Sequence, residues 1–235
     1  MGKKGRGKVE GWAFIPLFPS LLMQVQLDLD LEKLIELAFQ MQNKDKEGIN
    51  LTNRGGWHSD LFHEEKYKEF IKHEEFIKLE KEIDHYLQIY HSRVYKGMIF
   101  RENVIQKVNN MWVNINEKHH YNEWHIHHRS NLSGTFYIKH DGSIENGNIT
   151  FKNPVHHFPY IMQTHWPLFI NQNSHNNELI ERWNEVTSEL IDFIPKSNKL
   201  LIFPSWLEHK AETNLKDDTR ISLSFNSTPI LEKKS

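Results

Sequence analysis

The chain of 235 residues contains no cysteine. That excludes a disulfide framework and a thiolate zinc site, and leaves His, Asp and Glu as the side chains able to hold a metal. It has little net charge: 29 Lys and Arg against 31 Asp and Glu give a formal -2, so no whole-molecule field favours nucleic acid or an anionic membrane. No apolar run approaches the ~20 residues that cross a bilayer. The opening "MGKKGRGKVEG" is basic and glycine-rich, lacks the apolar core of a signal peptide, and carries Arg6 where a myristoylation signal wants Ser or Thr. These absences point to a cytoplasmic protein with a flexible tail over 1–11, and the chain shows no internal repeat or low-complexity tract. Residues 12–235 are long enough for one well-buried core and are read as a single domain.

The first half of that domain has helical texture. After an extended, proline-broken stretch, Leu31, Leu34, Ile35, Ala38 and Met41 recur at the spacing of one helix face. A polar stretch, "NKDKEGINLTNRGGWHSD", separates them from a longer stripe, Phe76, Leu79, Ile83, Leu87, Tyr90 and Val94, that stops near Gly97. From about residue 98 to 228 the pattern changes to short alternating runs, "MWVNIN", "SGTFYIKH", "GNITFKN", "KLLIFPSW" and "RISLSFN", divided by Gly, Asn, Asp and Pro. Leu179, Trp183, Val186 and Leu190 interrupt them with a further helical face. The segment 155–195 far exceeds the ~4–6 residues usual between elements and is expected to form a lid or substrate wall outside the barrel. The order predicts an α+β, mainly β fold: a sandwich or barrel buttressed by helices over 12–97.

Histidine is abundant, at 16 residues. In "YNEWHIHHRSNLSGTFYI", His125 and His127 are two apart, so an extended strand sends both rings to one face and His128 to the other. About one His-x-His is expected by chance in such a chain, so the pair needs a partner from elsewhere. His209 follows an apolar run in "LLIFPSWLEH", and Arg220 opens "RISLSFN" with Ser222 on its face. A guanidinium buried by that strand needs an anion, and its planar fork suits a carboxylate. Taken singly, His209 also reads as a core histidine and Arg220 as a surface partner of Asp217 or Asp218. Trp112, Asn114 and Asn116 alternate on one face of the strand ahead of the histidines. His156, His157 and His165 read as solvated loop residues and Trp183 as packing.

Together these residues resemble the 2-oxoglutarate/Fe(II)-dependent oxygenases, in particular those frequent in phage and marine bacterial genomes. The similarity also takes in "PLFPS", "NRGGWHSD", "WVNIN" and "GNITFKNP", and so spans nearly the whole chain. It implies a double-stranded β-helix (jelly-roll, cupin-like), with His125, His127 and His209 on Fe(II) and Arg220 with Ser222 on the distal carboxylate of 2-oxoglutarate. Asn114 and Tyr137 are further cosubstrate contacts on this reading, or ladder and core packing. The implied reaction hydroxylates an unidentified substrate, a small molecule or a protein side chain, with O2 as the second cosubstrate and succinate and CO2 as products. A homodimer is compatible with the sequence.

One feature departs from the superfamily pattern. The second ligand there is usually Asp or Glu, whereas this chain has His127, and no other register supplies a carboxylate: Arg129 follows His127, and Tyr121 and Asn122 follow His119 and His120 at plus two. The site is then one negative charge short, a deficit that dianionic 2-oxoglutarate could offset. The competing readings are a cupin-like metal-binding barrel without oxygenase activity, such as an isomerase or ligand-binding protein, and a barrel whose metal is only structural. The first of these has no need of Arg220 and Ser222 at their spacing.

Overall fold

The structure, a computed structural model, describes residues 20–62, 65–94, 104–155 and 188–231. The 1–11 tail, the 156–187 part of the 155–195 segment, and His156, His157, His165 and Trp183 lie outside them. No helix among the described residues is long and apolar enough to cross a membrane.

Two antiparallel sheets face each other. Strands β1 (Met23–Gln26), β9 (Lys199–Pro204), β6 (Leu132–Lys139), β11 (Arg220–Leu231), β4 (Val104–Asn116) and β3 (Trp57–His58) make the larger one in that order. The smaller runs β2 (Asn53–Arg54), β5 (Tyr121–His125), β10 (His209–Ala211), β7 (Ile149–Lys152) and β8 (Leu190–Phe193). Helices α1 (Leu31–Lys44), α2 (Lys68–Ile71) and α3 (Glu74–Val94) complete the fold. This is the expected double-stranded β-helix with helical support.

Strand alternation sorts the large sheet into two faces. Val113, Ile115, Phe136, Ile138, Leu200, Ile202, Ile221, Leu223 and Phe225 point outward into a core shared with Leu34, Ala38, Met41, Phe76, Leu79, Ile83 and Leu87 of α1 and α3. Both helical stripes are therefore core-facing, except that Val94 ends the second one exposed. Ile83 is fully buried, and its truncation to Ala would cost about 2–5 kcal/mol through lost transfer energy and the cavity left behind. Asp30 caps α1, its Oδ1 accepting from the Lys33 N–H at 3.1 Å. Gly134 has a steric reason: a Cβ there would lie 2.3 Å from the ring of Phe225, its cross-strand partner on β11, and 2.4 Å from the Leu201 carbonyl oxygen.

The intervening residues of the same strands, among them Trp112, Asn114, Asn116, Tyr137, Arg220 and Ser222, turn toward the small sheet and line a cavity of about 430 Å3. A second, smaller apolar cluster of Ile149, Phe151, Leu201, Phe203 and Leu207 closes one side of the space between the sheets.

The supporting region contributes strands as well as helices. β1 pairs with β9, β2 with β5, and β3 with β4. The segment expected outside the barrel is corrected at its C-terminal end: β8 is paired residue by residue with β7, Ile149 to Phe193 through Lys152 to Leu190. Leu190, read above as the last residue of a helical face, is therefore a strand residue. Pairing with an available edge overrides the local periodicity there.

Candidate metal centre

Strands β5 and β10 are neighbours in the small sheet, and their register sets His125 directly opposite His209. β5 ends at His125, so His127 is not itself in the ladder. The chain stays extended enough to return its ring to the same side, and the His127 N–H donates to the Ser205 carbonyl at 2.9 Å. The nitrogens that the three imidazoles offer all lie within 4.8 Å of one another. Nε2 of His127 and Nε2 of His209 are 3.3 Å apart. Two nitrogens bound ~2.1 Å from one metal at tetrahedral or right angles would sit ~3.0–3.4 Å apart, so this spacing fits a shared ion. His128 is exposed and lies outside the cluster, although it borders the cavity.

Two of the rings are braced from behind. Nδ1 of His125 faces the Glu123 carbonyl at 2.7 Å, and Nδ1 of His209 faces the Leu207 carbonyl at 2.8 Å. A carbonyl can only accept, so each Nδ1 carries the proton and each Nε2 presents its lone pair to the cluster. His127 leans on the Trp112 ring, with centroids 5.7 Å apart. Burial pushes the pKa of all three rings down, that of His127 to about 3 and that of His209 well below its ordinary value, with the neighbouring imidazoles adding to the shift for His127 and His209. Three neutral imidazoles with converging lone pairs and no proton to hold them together suit a divalent cation.

Arg220 stands at one end of the cavity. It is 2% exposed and forms no ion pair with any described residue; Asp217 and Asp218 pair with Lys118 and Lys139 instead. Its Nη1 donates to the carbonyls of Asn146, Gly147 and Glu212 at 3.3, 3.0 and 2.9 Å. Nε and Nη2 have no hydrogen-bond partner among the described residues. Gly147 makes this seat available: its φ is +85°, and a Cβ there would lie 2.0 Å from Arg220 Nη1 and 2.4 Å from the Glu212 oxygen. Burial lowers the pKa of Arg220 and raises that of the neighbouring Tyr137 phenol, so the charged form of each is disfavoured in the absence of a partner. A buried cation held by carbonyls on one edge and free on the other calls for an anion.

Ser222, Asn114 and Tyr137 line the same cavity in one cross-strand row, since Ser222 pairs with Asn114 on one side and Tyr137 on the other. Asn114 is 3% exposed and its Oδ1 has no partner among the described residues. The structure thus brings together all seven residues singled out from the sequence. It adds one that sequence reasoning missed. His58, cross-strand from Asn114, is buried, lines the cavity, and stacks on Trp112 with centroids 5.7 Å apart and planes 7° apart. Its Nδ1 is tied to the Ser59 carbonyl at 2.6 Å. Its signal was the "NRGGWHSD" stretch that contains it.

Two facing sheets with three converging imidazoles between them and a buried arginine at one end define a double-stranded β-helix protein with a three-histidine centre. Residues 110–226 match the family described as "Putative 2OG-Fe(II) oxygenase". The fold is similar to that of the non-heme alpha ketoglutarate dependent carbocyclase SnoK from nogalamycin biosynthesis, at 11% identity and a TM-score of 0.56 over 88% of this chain and 78% of that one. It is similar as well to HygX from Streptomyces hygroscopicus, solved with nickel and 2-oxoglutarate, at 11% identity and a TM-score of 0.52 over 88% and 82% of the two chains. AviO1 from Streptomyces viridochromogenes Tue57 gives 11% identity and a TM-score of 0.50 over 88% and 89%. No curated protein matches the chain in sequence.

Proposed function

We propose that this protein is an Fe(II)- and 2-oxoglutarate-dependent dioxygenase that hydroxylates a C–H bond of its substrate. The observation that carries the reading is the pairing, in one cavity, of a cluster of three neutral imidazoles with a buried arginine that has no counter-ion among the described residues. His125, His127 and His209 would hold Fe(II). The free edge of Arg220 would take the distal carboxylate of 2-oxoglutarate, assisted by Ser222, Asn114 and Tyr137. The bound metal and cosubstrate supply O2 activation coupled to oxidative decarboxylation, so that R–H, O2 and 2-oxoglutarate become R–OH, succinate and CO2.

The protein's own part is positioning and dryness. The carbonyls of Glu123 and Leu207 fix the tautomers of His125 and His209, which keeps both Nε2 lone pairs on the cluster. The carbonyls of Asn146, Gly147 and Glu212 lock the guanidinium plane, so the arginine binds a carboxylate without reorganising. With His127 in place of a carboxylate, Arg220 and the metal together leave the cavity more positive than in the usual triad, which favours the dianionic cosubstrate.

Anaerobic Fe(II) titration with and without 2-oxoglutarate tests the proposal. A visible charge-transfer absorption that needs both components, followed by succinate release on admitting air, is expected. Metal binding with no such absorption at any 2-oxoglutarate concentration would instead mark a metal-binding barrel of another kind.

A further inference from the structure

We infer that the end of the cavity remote from Arg220 is the substrate subsite, and that it receives a neutral group offering both a hydrogen-bond donor and an acceptor, a carboxamide or a vicinal diol. This rests on the oxygenase reading for which end the cosubstrate occupies. The register of the large sheet orders the cavity floor into rows: Asn116 and Arg220, then Asn114, Ser222 and Tyr137, then Trp112, Ser224 and Thr135, then Asn110 and Asn226. Successive rows are two residues apart, so the floor from Arg220 to Asn226 runs ~20 Å. His127 stands over the third row, where it meets Trp112, and His209 stands beside Phe203, which the register places in the fourth row past Ser133 from Asn226. A cosubstrate reaching from Arg220 to the histidines fills the first part, and the Asn110 side of the fourth row, away from Phe203, is left open to substrate.

That far row is built of polar groups without charge. Among the described residues lining the cavity there is no Asp, Glu or Lys, and the single arginine stands at the other end. A carboxylate, phosphate or ammonium entering there would lose its hydration with no counter-charge in return. A neutral polar group has partners ready. Oδ1 of Asn110 is shielded from solvent and has no hydrogen-bond partner among the described residues, a state that folded proteins rarely leave unexplained. Asn226 is oriented by its neighbour: its Oδ1 accepts from Ser133 Oγ at 2.7 Å, which leaves the Nδ2 hydrogens as its free function. Ser224 Oγ reaches Thr135 Oγ1 only at 3.5 Å, so both hydroxyls remain available. Asn110 and Asn226 are directly opposite each other, close enough for an acceptor on one and a donor on the other to meet a single small group.

The test uses four probes on one frame, butyramide, 1,2-butanediol, butyrate and butylammonium, and reads the side-chain amide signals of Asn110 and Asn226 by NMR in the full-length, metal-free protein. Butyramide or the diol should shift both signals and the two ions should not; which neutral probe binds tighter separates the amide from the diol. Asn110→Ala, which removes the acceptor, should lower the affinity for butyramide by about tenfold, and Asn110→Ser, a smaller change, guards against a folding failure; Asn110→Asp, which keeps the acceptor and adds a charge, should let butylammonium bind. Equal shifts from butyrate or butylammonium in wild type, or a butyramide affinity unchanged in both Asn110→Ala and Asn110→Ser, would overturn the subsite. The metal-free readout keeps the two readings apart: amide shifts with no Fe(II) and 2-oxoglutarate absorption condemn the oxygenase reading, and the absorption without amide shifts condemns the subsite.

Discussion

Replacing Arg220 by Ala should uncouple cosubstrate binding from metal binding. The side chain offers two nitrogens with no partner among the described residues, Nε and Nη2, to an incoming carboxylate, while Nη1 stays on the Asn146, Gly147 and Glu212 carbonyls. Losing that charge-assisted, two-pronged contact is worth about 3 kcal/mol, a rise of about 150-fold in Kd for 2-oxoglutarate. With cosubstrate at about 100 times the wild-type Kd, the wild type gains about 2.7 kcal/mol and the variant about 0.3. In a chain of this size that is a thermal shift of about 5–10 °C falling to about 1 °C. The metal-loaded protein without cosubstrate should change less, because the variant strips three carbonyls of their donor but also removes an unpaired buried cation. Differential scanning calorimetry under anaerobic Fe(II), with and without 2-oxoglutarate, measures both quantities. Arg220→Lys should recover only part of the shift, since an ammonium restores the charge without the fork. An Arg220→Ala protein that keeps the wild-type shift would refute the reasoning, because the cosubstrate would then not reach the guanidinium.

His125→Ala and His127→Ala should each abolish stable Fe(II) binding while His128→Ala retains it; calorimetric titration of the three decides, and loss confined to His128→Ala would dismantle the assigned cluster. His127→Asp recreates the carboxylate found at this place in the wider superfamily and should bind Fe(II) at least as well, provided the shorter side chain reaches; measured loss as complete as in His127→Ala would show that it does not. Gly147→Ala should weaken 2-oxoglutarate without touching the metal, because its Cβ overlaps Arg220 Nη1 and the φ of +85° is strained for any side chain; unchanged cosubstrate affinity would mean the guanidinium has slack. Metal-free stability should fall as pH drops below 6.5 toward 3, since the unfolded chain takes up protons on histidine near 6.5 and the buried rings, His127 with its pKa near 3, resist them. Urea melts in the presence of a chelator check this, and a slope no shallower in His127→Ala than in wild type would clear that ring of responsibility.

How much of this was legible beforehand depends on whether a signal was local. The helical stripes of α1 and α3 and the alternation in β4, β6, β9 and β11 are written in side chains a few positions apart, so those elements and their buried faces follow from periodicity. The seven candidate residues, which the structure gathers in one cavity, stand out in the sequence because their order and flanks match a known family; alternation also placed His125 with His127 and Arg220 with Ser222. β2 and β3 are two residues long and exist only because β5 and β4 offer edges to them, so no local pattern announces them. The same holds for β8, whose Leu190 fits a helical stripe equally well. His58 and Asn110 were out of reach for another reason. Each is a single polar residue whose meaning comes from what lies across the sheet, His58 from Trp112 and Asn110 from Asn226.

The place of β11 in the large sheet has a consequence for how the molecule is made. It lies between β6 and β4 and is paired to both along most of its length, yet among the described residues it is the last strand in chain order. During synthesis, β4 and β6 emerge with their inner edges open and must wait for about eighty residues of later chain before the strand that separates them arrives, which makes this closure a long-range, slow step. Until then two alternating, half-apolar edges are free to pair with another copy. A chain cut short before Arg220 is therefore expected to lose more than its buried arginine, and to accumulate as aggregate rather than as a monomer.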